Sequence, residues 1–369
     1  MENLTDKVIW DESLSLGNLI IDQDHKELFR IYNRLSDCLG REDCKEEFAQ
    51  ILSEMTNYSL AHFSKEEEYL SIINYPHIEQ HKNEHKLYIK TVAGYNTHFL
   101  LENPPEIYEV VSFLRSWWKN HILNSDSKYE IYRREMFALN VRERLNSIST
   151  KENRESGERY FKESVKIMGV KTADVSKIAD SIYKELPYKD KYSVFEVCEL
   201  LWRDGVMEET FVACNWVYKK KGEFERSEFL RFERWIKENV TNWATCDTFC
   251  NHTMGTFIDM YPEFLEKLMI WAKDSNRWVR RAAAVSLIIP AREGRYLDQI
   301  IELAYALLKD PDDMVRKGYG WMLKACSQSH RDEVFNFVMK NRFVMPRTAL
   351  RYAIEKMPQE MREAAMSLK

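Results

Sequence analysis

The chain has 369 residues, 44% of them apolar, enough for two or more sizeable cores and for two to three domains. Its 11 glycines and 9 prolines suit an all-α protein better than one rich in β-turns, and no run of 18 apolar residues offers a membrane-spanning helix. The net charge of −5 conceals an acidic part, with 17 Lys+Arg against 25 Asp+Glu in residues 1–150, joined to a mildly basic one, with 37 against 34 in residues 151–369.

That balance is compatible with nucleic-acid binding by the second part and does not establish it. The N-terminal Met1–Asp6 lacks a basic-then-apolar signal pattern, so the expectation is a cytoplasmic protein with no membrane partner. Seven cysteines, an odd number, read as reduced thiols rather than a disulfide framework, and Cys246 and Cys250, one helical turn apart, lack a second pair for zinc.

Four apolar stripes step by three or four residues along the first third of the chain. They run Ile21, His25, Leu28, Tyr32, Leu35; Phe48, Leu52, Met55, Ser59, His62, Glu66, Leu70; Ile78, His81, His85, Tyr88, Val92; and Ile107, Val110, Leu114, Trp117, His121. The pattern predicts an antiparallel four-helix bundle with histidines and a carboxylate facing inward. A lone inward histidine is usually a satisfied core residue. Here His25, His62, Glu66, His81, His85, His121 and Asp126 are spread over successive stripes, and a buried, unpaired Glu66 needs a cation. Imidazole with carboxylate suits first-row metals. His121 and Asp126 are five apart, about 140° on an ideal helix, so both reach one site only if the helix widens locally in the π manner.

These residues resemble the hemerythrins of bacterial type over about residues 1–135. The matching elements are Ile21-Asp22 before His25, the run His62-Phe63-Ser64-Lys65-Glu66-Glu67, the pair His81 and His85, and His121-Ile122 followed by Asp126. The resemblance implies two iron ions. His25 and His62 would hold one, His81, His85 and His121 the other, with Glu66 and Asp126 bridging and a position on the two-histidine iron left for dioxygen. Two residues depart from the family's pattern: Asp24 stands where Gln is usual, and Trp118 where an aliphatic residue often lines the dioxygen pocket.

The segment from about Asn140 to Glu158 turns polar, and residues 136–157 are expected to form a linker between domains. Consecutive helices are expected from there to residue 369, and they contain a repeat. Asp274-Ser-Asn-Arg-Trp278-Val-Arg-Arg281 aligns with Asp310-Pro-Asp-Asp-Met314-Val-Arg-Lys317 at a shift of 36 residues. A period near 40 built of helix pairs predicts a HEAT-like α-solenoid, which offers one concave face. Trp243 and Asp247, four apart on one helix, would share that face with Arg281 and Trp321 from the following repeats. Each has an ordinary explanation as core, cap or solvated charge.

Within an expected domain of residues 158–369, residues 158–360 are similar to the HEAT-like-repeat alkylpurine DNA glycosylases. The segments that carry the likeness are Tyr160-Phe-Lys, Gly169-Val-Lys-Thr172, Trp243-Ala-Thr-Cys-Asp247, Asn276-Arg-Trp278-Val-Arg-Arg281 and Arg316-Lys-Gly-Tyr-Gly320-Trp321. The resemblance implies a repair enzyme that hydrolyses the N-glycosidic bond of cationic N3- or N7-alkylated purines in double-stranded DNA. Asp247, Trp243 and Trp321 would be catalytic, Arg281 would anchor a phosphate and Tyr160 would lie near the lesion. The alternative is a non-catalytic DNA-binding scaffold regulated by iron or oxygen.

Overall fold

The computed structural model describes residues 7–41, 43–101 and 103–367. Residues 1–6, on which the signal reading rested, lie outside them. The chain is all-α. Among the described residues there is no strand, only an isolated bridge between Lys166 and Val206, and no helix is long and apolar enough to cross a membrane.

The helices are α1 (Leu19–Ser36), α2 (Lys45–Ile72), α3 (Ile78–Leu100), α4 (Ile107–His121), α5 (Ser127–Ile148), α6 (Lys151–Glu158), α7 (Thr172–Glu185), α8 (Lys191–Arg203), α9 (Met207–Lys219), α10 (Glu228–Glu238), α11 (Trp243–Phe249), α12 (Gly255–Met260), α13 (Leu265–Trp271), α14 (Arg277–Val285), α15 (Ile288–Arg292), α16 (Leu297–Leu307), α17 (Asp313–Cys326), α18 (Arg331–Asn341), α19 (Arg347–Ile354) and α20 (Gln359–Met366). π-helical turns fill Ile122–Asp126 and Cys250–Met254. They divide into two compact units, Met1–Leu139 with Glu185–Val197, and Asn140–Lys184 with Cys198–Lys369.

In the first unit α1 packs on α2 and α4, and α2 on α3. The stripes read from the sequence supply its core: Leu35, Phe48, Leu52, Met55, Leu70, Tyr88, Val92, Val110 and Leu114 are all sealed from solvent. Asn18 caps α1 by accepting from the Ile21 amide. Its side-chain amide also donates to the buried Glu130 at 3.0 Å, which accepts from Tyr69 Oη at 2.6 Å and Arg133 Nε at 2.7 Å. Three donors satisfy this buried carboxylate and tie α1, α2 and α5 together. Between α1 and α2, Cys38 and Cys44 form a disulfide, Cα to Cα 5.6 Å. The expectation of reduced thiols throughout is thus corrected at this pair. The chain end of α1 doubles back within six residues, which brings together two cysteines that spacing alone does not single out.

Residues 136–157, expected as a linker, lie mostly in α5 and α6. Phe137, Ala138, Val141 and Leu145 form a buried stripe one to four residues apart, thin enough to vanish in a composition count.

In the second unit the 36-residue repeat is drawn in its caps. Asn276 accepts from the Trp278 amide at the start of α14, and Asp312 from the Met314 amide at the start of α17. Asp274 and Asp310 each accept from the backbone of the cap residue two positions on. Arg280 links one copy to the next through Asp310 at 2.7 Å. Trp235 Nε1 reaches Glu199 at 2.9 Å and Trp271 Nε1 reaches Glu233 at 2.8 Å, again about one repeat back. Stacked helix pairs bonded at a near-constant separation are what a solenoid requires.

Candidate functional sites

The first site lies inside the bundle. α1 supplies His25, α2 supplies His62 and Glu66, α3 supplies His81 and His85, α4 ends on His121, and the π turn ends on Asp126. All seven are at most 3% exposed. Asp126 Oδ2 lies 3.3 Å from His25 Nε2, and its Oδ1 lies 3.2 Å from His121 Nε2 and 3.6 Å from His81 Nε2. Glu66 lies 3.6 Å from His62 Nε2, 3.5 Å from His81 Nε2 and 3.2 Å from His85 Nε2. Both carboxylates therefore face histidines from both expected groups. The widening that the five-residue spacing demands is present: the Ser127 amide bonds back to the Ile122 carbonyl, five residues earlier.

This arrangement fits metal binding on a direct observation. His25 Nε2, His62 Nε2, His81 Nε2 and all four carboxylate oxygens of Glu66 and Asp126 are buried without a hydrogen-bond partner. Orphaned ligand atoms converging on one point are costly unless a cation collects them.

Outside the cluster, carboxylates meet three imidazoles at their other nitrogen. His85 Nδ1 lies 3.0 Å from Glu67, His121 Nδ1 3.1 Å from Glu84, and His62 Nδ1 3.5 Å from Asp24. Hydrogen bonding to His121, with a further bond from Ser125 Oγ, outweighs burial and holds Glu84 at about 2. Burial pushes Asp24 up, but His62, Tyr58 and Lys65 together bring it down to about 2. The sequence reading assigned Glu67 and Glu84 no role. Their signal is faint, since an acidic residue on a half-exposed helix face looks like ordinary solvated charge.

Trp118 is sealed, with its ring 5.7 Å from His62 and 6.4 Å from His25, and its indole donates to Tyr88 Oη at 3.0 Å. Phe63 stacks on His85 at 3.8 Å and on Trp118 at 5.4 Å. Aromatic rings thus lie beside His25 and His62. Two cavities of about 290 Å³ reach the ligands elsewhere, one past Asp24 and Lys65 to His62 and Glu66, the other past Glu84 and Lys128 to His81.

The second site is built on α11, α14 and α17. Asn242 caps α11 by accepting from the Thr245 amide at 2.9 Å, which fixes Trp243 on the first turn and Asp247 one turn later. Arg281 on α14 clamps Asp247 through both oxygens, each at 2.8 Å. Its remaining nitrogen donates to the Met314 carbonyl. Gly318 on α17 lets Arg281 lie close, since a Cβ there would sit 3.2 Å from Arg281 Cγ. Trp321 is half-buried one turn beyond Gly318, on the same side of α17.

Two of the expected residues have the following surroundings. Arg281, expected on a phosphate, is 5% exposed and spends its guanidinium on Asp247 and Met314. Tyr160 is 74% exposed, whereas its neighbour Phe161 stacks on Trp243 at 5.2 Å and 20°. Burial pushes the Asp247 carboxyl up, and Arg281 offsets that only in part. Cys246 and Cys250 are buried free thiols; neither belongs to a metal-capable group among the described residues.

The family model described as "Hemerythrin HHE cation binding domain" matches residues 17–130, and that described as "DNA alkylation repair enzyme" matches residues 141–357. Among curated proteins, a bacteriohemerythrin of Clostridium acetobutylicum is 34% identical over 125 residues, covering 33% of this chain and 97% of that protein. A bacteriohemerythrin of Pseudomonas aeruginosa is 32% identical over 124 residues, covering 33% and 78%. A solved structure described as a predicted DNA alkylation repair enzyme from Enterococcus faecalis superposes with a TM-score of 0.51 at 16% identity, over 57% of this chain and 97% of that one. The last is a likeness of fold alone.

Proposed function

We propose, for a chain that belongs to the hemerythrin HHE cation binding family in its first part and to the DNA alkylation repair enzyme family in its second, that it is a DNA glycosylase coupled to a di-iron centre. The second part hydrolyses the N-glycosidic bond of cationic N3- and N7-alkylated purines in double-stranded DNA. The observation that carries this reading is Asp247: a mostly buried carboxylate, locked by a two-point contact with Arg281 and one turn from Trp243.

Loss of a cationic purine leaves an electron-poor sugar. A fixed carboxylate stabilises the positive charge that develops there, or orients a water toward it, without reorganising during the reaction. Trp243, backed by Phe161, and Trp321 offer aromatic faces that attract positive charge. Arg281 acts through Asp247, holding the carboxylate ionised and aimed. Exposed lysines and arginines supply the salt-dependent grip on phosphates.

In the first part, His25, His62, Glu66, His81, His85, His121 and Asp126 are the residues that would hold two irons. When bound, the pair supplies a place for dioxygen. We place the protein in the cytoplasm, where its DNA substrate lies.

The test is release of N7-methylguanine from duplex DNA by the wild type and by Asp247→Asn. The variant keeps shape but not charge, so DNA binding should persist while release slows by about 10²-fold or more. A wild type that binds DNA yet releases no methylpurine would replace this reading with the scaffold.

A further inference from the structure

Resting on the di-iron reading, the outer shell of the centre carries a second inference. An imidazole ligand needs a hydrogen-bond acceptor on its far nitrogen to fix the ring, and a carboxylate, a backbone carbonyl or a water serves for that, but only the carboxylate brings a charge. Here three of the five imidazoles meet a carboxylate. Glu67 stands 3.0 Å from His85, Glu84 3.1 Å from His121 and Asp24 3.5 Å from His62. Both groups of histidines are included, so both metal positions feel the effect.

These negative charges are poorly cancelled. Among the described residues no lysine or arginine pairs with Glu67 or Glu84. Asp24 meets Lys65 at 3.4 Å, but that lysine is 65% exposed on its side chain, where an ion pair is weak. The imidazoles themselves are at most 3% exposed, so the field of each carboxylate passes through the ring in a low-dielectric interior. A carboxylate at that nitrogen also makes the imidazole a stronger donor to the metal.

Each iron gains one positive charge when it passes from ferrous to ferric by loss of one electron. Negative charge and stronger donors both favour the ferric form. We propose that Asp24, Glu67 and Glu84 are positioning residues that bias the pair toward its oxidised state, so that the first unit rests ferric in air and responds to the supply of reductant rather than carrying dioxygen reversibly.

The experiment uses the full chain loaded with iron. Wild type, Glu84→Gln and the triple variant Asp24→Asn/Glu67→Gln/Glu84→Gln are assayed for iron content, then titrated with dithionite against redox mediators while the charge-transfer absorption is followed. Glu84→Gln keeps an oxygen for His121 Nδ1 and Ser125 Oγ and removes only the charge. The midpoint should move upward in Glu84→Gln and further in the triple variant, and air reoxidation of the reduced triple variant should slow by about tenfold. Unchanged midpoints and reoxidation rates at two irons per chain would overturn the proposal. So would a midpoint that stays in place in those Glu84→Gln molecules that retain both irons, whatever the change in metal affinity. A wild type that holds fewer than two irons would instead defeat the di-iron reading beneath it.

Discussion

Arg281 grips both oxygens of Asp247 at 2.8 Å from a position one repeat further along the chain. Burial alone pushes Asp247 upward, and the hydrogen bonds and charge of Arg281 are the two influences that bring it down. Arg281→Leu leaves burial uncompensated, so the carboxylate takes up its proton at a higher pH. Because the ionised form is the active one, the acid limb of the kcat/KM profile should move to higher pH than in the wild type. Removing one member of a mostly buried pair should also destabilise the second unit, by about 3 kcal/mol at most. An acid limb that stays in place would detach Asp247 from the proposed role.

Phe161 and Trp243 give a second prediction. Their stacked rings should be worth about 1 kcal/mol, so Phe161→Ala should raise KM for methylated duplex DNA about fivefold with a smaller change in kcat. Tyr160→Ala removes a ring that is 74% exposed and should change KM less. The reverse order would return the role to Tyr160.

The stripes that carry His25, His62, Glu66, His81, His85 and His121 were legible because a helix turns every 3.6 residues and inward histidines interrupt an otherwise apolar row. Asp126 was legible through its misfit, five residues from His121, which only a π turn reconciles. Glu84 and Glu67 were not, because their partners lie on other helices and nothing local marks them. The placement of Glu185–Val197 in the first unit was equally hidden: Val194, Phe195 and Val197 are buried, but an apolar pattern does not name the core it joins. The contact between Arg281 and Asp247 could have been anticipated, since their 34-residue separation approaches the repeat length.

The Cys38–Cys44 disulfide makes a count that can be checked directly. Unfolded without reductant, the chain should show the five free thiols of Cys198, Cys214, Cys246, Cys250 and Cys326, and seven after reduction. The loop it closes is short, so reduction should cost the first unit only about 2 kcal/mol. Seven thiols before reduction would mean the pair is open in solution.

Metal removal is the sharpest probe of the first unit. His81 Nε2 stands 3.5 Å from Glu66 and 3.6 Å from Asp126, so it faces both carboxylates, whose oxygens are buried without a hydrogen-bond partner. With iron bound, those carboxylates and three orphaned imidazole nitrogens are satisfied together; with iron chelated, they remain buried and unpaired. Binding to the folded state alone stabilises it by about 4 kcal/mol when free metal exceeds Kd a thousandfold. Chelation should therefore lower the first unit's Tm by roughly 10 °C. His81→Ala should lose most of the iron and start from near the chelated midpoint, so that added chelator changes little. Equal melting of wild type with and without chelator would show that the cluster is held together by its own hydrogen bonds and needs no cation.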